Sequence, residues 1–116
     1  VDTTAEDPAD LLRRAADRLE ALAARTTAGD WRSGGLLASR PEVVAVRPDG
    51  STEHVAEARA GSGAWITALS PEVAPPLAAA LRAAADRPHP DDTLVTLARV
   101  LLDRLGSSAH RSTSNP

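Results

Sequence analysis

A chain of 116 residues, 42% hydrophobic and 25% charged, has the balance of one globular domain and leaves no room for a second hydrophobic core. The absence of cysteine excludes disulfides, thiolate metal sites and a cysteine nucleophile, and no run approaches the roughly 18 apolar residues that cross a bilayer. A net charge of −3 argues against a surface built to grip phosphate backbones, and without Phe or Tyr only Trp31 and Trp65 could stack on a base.

Every basic residue is arginine and alanine is abundant, a composition typical of GC-rich, actinobacterial coding, so the arginines carry no functional weight by themselves. Residues Val1 to Glu6 are polar and read as a flexible N-terminus, with no charged and apolar signal pattern. The expected location is therefore cytoplasmic. Asp7 then reads as an N-cap, with Pro8 at the first helical position and Asp10 in the first turn. Leu11, Leu12, Ala15, Leu19, Leu22 and Ala23 recur at helical spacing behind it, and Thr26 to Gly29 ends the helix.

From Asp30 to Ala58 the pattern shifts to short β-rich pieces: Leu36-Leu37-Ala38, Glu42 to Val46, and Thr52 to Ala58. Pro48-Asp49-Gly50 joins the last two as a hairpin, because proline sets φ early in the turn and glycine accepts the positive φ that closes it. Gly34-Gly35 and Arg40-Pro41 punctuate the first piece. After Gly61-Ser62-Gly63, Ser62 is expected to cap a short helix carrying Trp65, Ile66 and Leu69. Ser70-Pro71-Glu72 starts another, with Val73, Leu77, Ala80, Leu81 and Ala84 as its apolar stripe. Pro75 and Pro76 lack donors, so that helix begins either near Pro76 or with distorted first turns. Leu94, Leu97, Ala98, Leu101, Leu102 and Leu105 define the last helix, Gly106 is placed to end it, and residues 107 to 116 read as a disordered tail.

These elements predict a single α+β domain over residues 7 to 106, with about four helices packed on one side of a two- or three-stranded antiparallel sheet. Trp65 is the natural hub of such a two-layer core. On that reading Trp65→Ala would cost about 3 to 5 kcal/mol and leave the chain largely unfolded, while Trp31, in a Gly-flanked loop, would be far less sensitive.

Candidate chemistry is sparse. His89-Pro90-Asp91-Asp92 resembles the zinc-binding signature of the LmbE-like N-acetylglucosaminyl deacetylases, and the resemblance would make His89 and an aspartate metal ligands and an aspartate the base. Arg87-Pro88 stands where that family has a buried strand, and no downstream histidine completes the ligand set. Pro90 at the start of the last helix, with Asp91 and Asp92 in its first turn, explains the same residues as a cap. Glu53, His54 and Glu57 have ligand-like side chains, but strand alternation sends His54 to the face opposite both glutamates, so the three would not share a metal. Gly61-Ser62-Gly63 lacks the spacing of a phosphate-binding loop, and Ser62 has no base to activate it.

Leu11 to Ala24, Thr27 to Trp31, Ala64-Trp65-Ile66, Leu69 to Val73 and the last leucine helix together resemble short actinobacterial and actinophage proteins of the Ead/Ea22-like type. That resemblance implies a fold and no activity or cofactor. The expected function is a non-enzymatic interaction or accessory module, without cofactor, able to form a homodimer or to hold a protein partner through His54, Trp31 or Trp65. The other reading is a metal-dependent hydrolase or small-ligand binder using His89, Asp91, Asp92 or His54.

Overall fold

The computed structural model describes residues 6–34 and 42–114, with the side chains at 60 and 106–114 excepted. Its elements run α1 (Pro8–Ala23), β1 (Asp30–Ser33), β2 (Glu42–Val46), β3 (Thr52–Glu57), α2 (Ala60–Ala68), a 3-10 turn at Pro71–Val73, α3 (Ala74–Ala85) and α4 (Asp92–Ser114). The class is α+β, and the described residues form an antiparallel sheet in the order β1-β2-β3. The predicted strand at Leu36-Leu37-Ala38 lies outside the described residues, as do residues 1–5 of the expected flexible N-terminus. Contacts divide the chain into two compact units, Val1–Leu22 with Ala74–Pro116, and Ala23–Val73.

The first unit is helical. Asp7 offers its carbonyl to the Leu11 amide at 3.0 Å, while Pro8 occupies a position whose N–H would have had no partner. The same logic resolves α3: it begins at Ala74, directly after the 3-10 turn, so Pro75 and Pro76 sit in its first turn and remove no helical hydrogen bond. The regular helix thus begins two residues before Pro76 and the turn ahead of it, Pro71–Val73, is 3-10, as the expected delay or distortion required. α4 starts at Asp92, two residues later than the capping reading placed it, because Asp91 is the cap: its Oδ1 accepts the Thr93 amide at 2.8 Å. The helix then continues through Gly106 to Ser114, past the expected stop. A glycine inside a helix costs only about 1 kcal/mol, which weakens it without ending it.

Leu11, Leu12, Ala15 and Ala16 of α1 join Ala78, Leu81, Ala84 and Ala85 of α3 and Val95, Ala98 and Leu102 of α4 in one buried cluster. Six of these side chains are alanines, so the cluster closes through small contacts around Leu12 and Leu81, both fully buried. At its margin Arg82 donates to Asp17 at 2.8 Å and to Glu20 at 2.7 Å. Arg13 likewise pairs with Asp86 at 3.3 Å, and Arg14 with Glu6 at 2.9 Å. The arginines of α1 that could have formed a basic stripe are thus partly neutralised by acids of the same unit.

The second unit is built on the β2–β3 hairpin. Gly50 donates to the Arg47 carbonyl at 2.9 Å and Arg47 to that of Ser51 at 2.8 Å, with Gly50 at φ +87°, so a Pro48-Asp49 turn closes through a left-handed glycine. Asp49 Oδ1 accepts the Ser51 amide and hydroxyl, and these bonds hold its carboxyl below the usual aspartate range. Across the sheet, Val43 and Ala45 are buried on one face, and Glu42, Val44 and Val46 alternate to the other. α2 lies against β1 and β2, with Gly63 buried, Ile66 and Thr67 half-buried and Ser70 buried, a stripe at helical spacing. A methyl group on Gly63 would meet Val43 Cγ2 at 3.9 Å, so the glycine leaves the helix resting close over β2.

Two further expectations change here. α2 starts at Ala60 with Arg59 at its N-cap and no side-chain cap, so Ser62 lies inside the first turn and is not the cap. Trp65, the expected hub, is 68% exposed. The reason is its place on α2: Gly63, Ile66 and Thr67 define the inward stripe, which turns position 65 outward.

Gly29 shows where backbone geometry admits only glycine. Its φ is +124°, and a Cβ would lie 2.9 Å from the Val46 carbonyl oxygen and 3.3 Å from Ala45 Cβ. Gly29→Ala is expected to lose about 3 kcal/mol in denaturant unfolding, because the clash adds to the strain. Gly50→Ala should lose only about 1 to 2, its Cβ meeting nothing within 4 Å.

The Arg82 contacts predict a pH dependence. Hydrogen bonding to Arg82 is the main cause that lowers the Glu20 pKa in the folded chain, so this contribution to stability is present above the ordinary glutamate value and is lost as pH falls through the folded one. An NMR titration should find Glu20 below an unperturbed glutamate in the wild type and restored to it in Arg82→Gln. Stability should accordingly fall less steeply with acidification in the variant.

Candidate functional site

The structure separates the residues of the proposed metal motif. His89 is exposed in the bend before α4, while the Asp91 carboxylate is spent on the Thr93 amide and Asp92 opens the helix. Among the described residues no group of three histidine, aspartate or glutamate side chains is placed to hold a metal ion. The motif is a helix start built from the residue types that satisfy free N–H groups.

His54 has a more informative environment. Val43 pairs with Ala56, yet Val44 pairs with His54, so Val55 is an extra residue on β3 and the strand carries a bulge. Glu53 pairs with Ala45 and Glu57 with Glu42, which places Glu53 on the face opposite His54, as alternation demands, but returns Glu57 to the same face. The expectation for Glu57 fails because a bulge resets the period of two. On this face His54 Nδ1 lies 2.5 Å from Glu42 Oε2, and Arg32 pairs with Asp30 at 2.7 Å. Glu53 itself is engaged by Arg47. The arrangement is a set of local polar pairs on an exposed sheet face.

Trp31 belongs to β1 rather than to a loop, directly across from Ala45, and is half-buried. Its indole Nε1 donates to the Thr27 carbonyl at 2.9 Å. Both its ring and its polar atom are therefore committed within the unit. An open depression of about 630 Å³ lies nearby, lined by Thr27, Gly29, Asp30, Val46, Arg47 and Glu72 among others. Of its charged side chains Asp30 and Arg47 are already paired, so few polar groups converge on a ligand.

The outward face of α2 differs from all of these. Gly61, Ser62, Ala64, Trp65, Ala68 and Leu69 are exposed, and Leu69 shows 54% of its surface beside the 68% of Trp65. Leu22 and Val100, the other exposed large hydrophobics of the described residues, sit singly on helices rich in charge. A surface helix normally turns a polar side to water, whereas α2 is apolar on nearly every side. From Ala60 to Pro71 the sequence has twelve residues without one ionisable side chain, its longest such run. That run is the signal by which this face could be found from sequence.

Compared with models of known protein families, with curated proteins and with solved structures, the chain has no match. The candidate site accordingly rests on its own geometry.

Because only about a third of Trp65 is removed from water, truncating it should forfeit about 1 to 2 kcal/mol rather than the 3 to 5 of a core aromatic. Trp65→Ala is expected to remain folded by circular dichroism at 25 °C, with a thermal midpoint lowered by less than about 10 °C. A largely unfolded variant would return Trp65 to the core.

Proposed function

We propose that this protein is a non-enzymatic interaction module whose contact surface is the outward face of α2. The observation that carries this reading is a tryptophan two-thirds exposed on an uncharged helix, next to an exposed leucine. Large apolar side chains gathered on a surface mark contact sites in soluble proteins, and tryptophan is prominent among the residues that dominate binding energy. The likeness to short actinobacterial and actinophage proteins is compatible with this role and adds no activity to it. A cytoplasmic setting fits a cysteine-free chain in which no described helix is long and apolar enough to cross a membrane.

The test is site-specific photo-cross-linking in the host cell, with the reactive group at Ala64, at Ala68 or, as a control, at exposed Asp103 on α4. The expected result is a discrete polypeptide adduct from positions 64 and 68 that Trp65→Glu abolishes, and none from 103. Adducts of equal yield from all positions, or ones that survive Trp65→Glu, would contradict the reading.

A further inference from the structure

The charges at the two ends of α2 bear on what covers it. Arg59 stands at the N-cap of the helix and Glu72 just beyond its C-terminal end, both exposed, and among the described residues neither has an ion-pair partner. Arg59 is badly placed for its own helix, since a cation at an N-terminus opposes the macrodipole, and no side-chain cap compensates it. Between these two charges lies only the uncharged run with Trp65 near its middle.

We infer that the occupant of this face is a second copy of the chain, docked with the two α2 helices antiparallel about a two-fold axis near Trp65. The inference rests on the interaction-module reading above and names its partner. An antiparallel pair brings Arg59 of one copy to the Glu72 end of the other, twice, so each misplaced cation meets an unpaired acid. It also sets each Trp65 over the small surface of Gly61, Ala64 and Ala68, which lie on the same exposed face one turn away or less. Two copies that each carry a net charge of −3 repel overall, and α2 is the longest stretch along which they can touch without bringing like charges together.

The size of the face sets the strength. Trp65, Leu69 and the small residues around them offer on the order of 300 to 400 Å² per copy, so the pair removes roughly 600 to 800 Å² from water, short of the 1,200 to 2,000 of a standard stable interface. The dimer is therefore weak, with a dissociation constant on the order of 100 µM, and forms where the protein is locally concentrated.

Sedimentation equilibrium of the full chain from about 10 µM to 1 mM at low salt tests this, with four variants. The wild type should show a reversible monomer–dimer equilibrium, and Trp65→Glu should weaken it by at least about ten-fold. Arg59→Glu and Glu72→Arg should each weaken it about three- to ten-fold, by setting like charges opposite each other twice. The double variant Arg59→Glu/Glu72→Arg should recover wild-type association within about two-fold. Arg59→Glu favours its own helix dipole, so its loss of association would not reflect unfolding. A wild type monomeric throughout, a dimer indifferent to Trp65→Glu, or a double variant no better than Arg59→Glu would each overturn the inference. A monomeric wild type that still gives a foreign adduct from Ala64 in cells would overturn only the choice of partner; a monomer with no adduct would end both readings.

Discussion

Small side chains govern this structure. The sequence contains no Phe, Tyr, Met or Cys, so α1, α3 and α4 must exclude water with leucine, valine and alanine. Contacts between alanines remove little area each and reach full packing density only when helix backbones come close, which demands regular helices with well-made ends. The Asp7 and Asp91 starts and the two prolines in the first turn of α3 meet that demand. A core of this kind has no socket for an indole, and a tryptophan placed in it would force apart the contacts that define it.

The second unit meets the same shortage differently. There the sheet supplies Val43 and Ala45, and α2 covers them with a glycine, an isoleucine and a threonine. An inward stripe this thin binds the helix close to the strand, and the large residues of α2 are left on its other side. The apolar outer face thus follows from the packing of the inner one. The bulge at Val55 belongs to the same economy of local geometry: one extra residue rotates the end of β3 and gathers Glu42, His54 and Glu57 on the polar face. What results there is a set of local polar contacts, the His54–Glu42 hydrogen bond and the Arg32–Asp30 ion pair among them.

Much of this was legible in residue order because the signals were local. The hairpin turn at Pro48-Asp49-Gly50, the bounds of β2, the start of α1 and, to within two residues, that of α4 follow from dihedral preferences and from unpaired N–H groups, which act within a few residues. The features that escaped depend on contacts across the chain. Nothing near Val55 announces a bulge, and Trp31 looked like a loop residue until Ala45 was placed beside it. The misassignment of Trp65 has a different cause. In a chain with so few large side chains a tryptophan is the natural candidate to fill the core, but the cluster closes with leucine, valine and alanine alone, and composition does not announce that.

Everything proposed for function depends on the indole of Trp65 meeting water in the isolated chain. Acrylamide quenching of tryptophan emission, read in a Trp31→Phe background and followed across a dilution series, measures this directly. Trp65 should be red-shifted and freely quenched in dilute solution and become blue-shifted and shielded as the chain is concentrated. A blue-shifted, shielded indole that persists to the lowest concentration would place Trp65 inside the monomer and rule out α2 as the contact face.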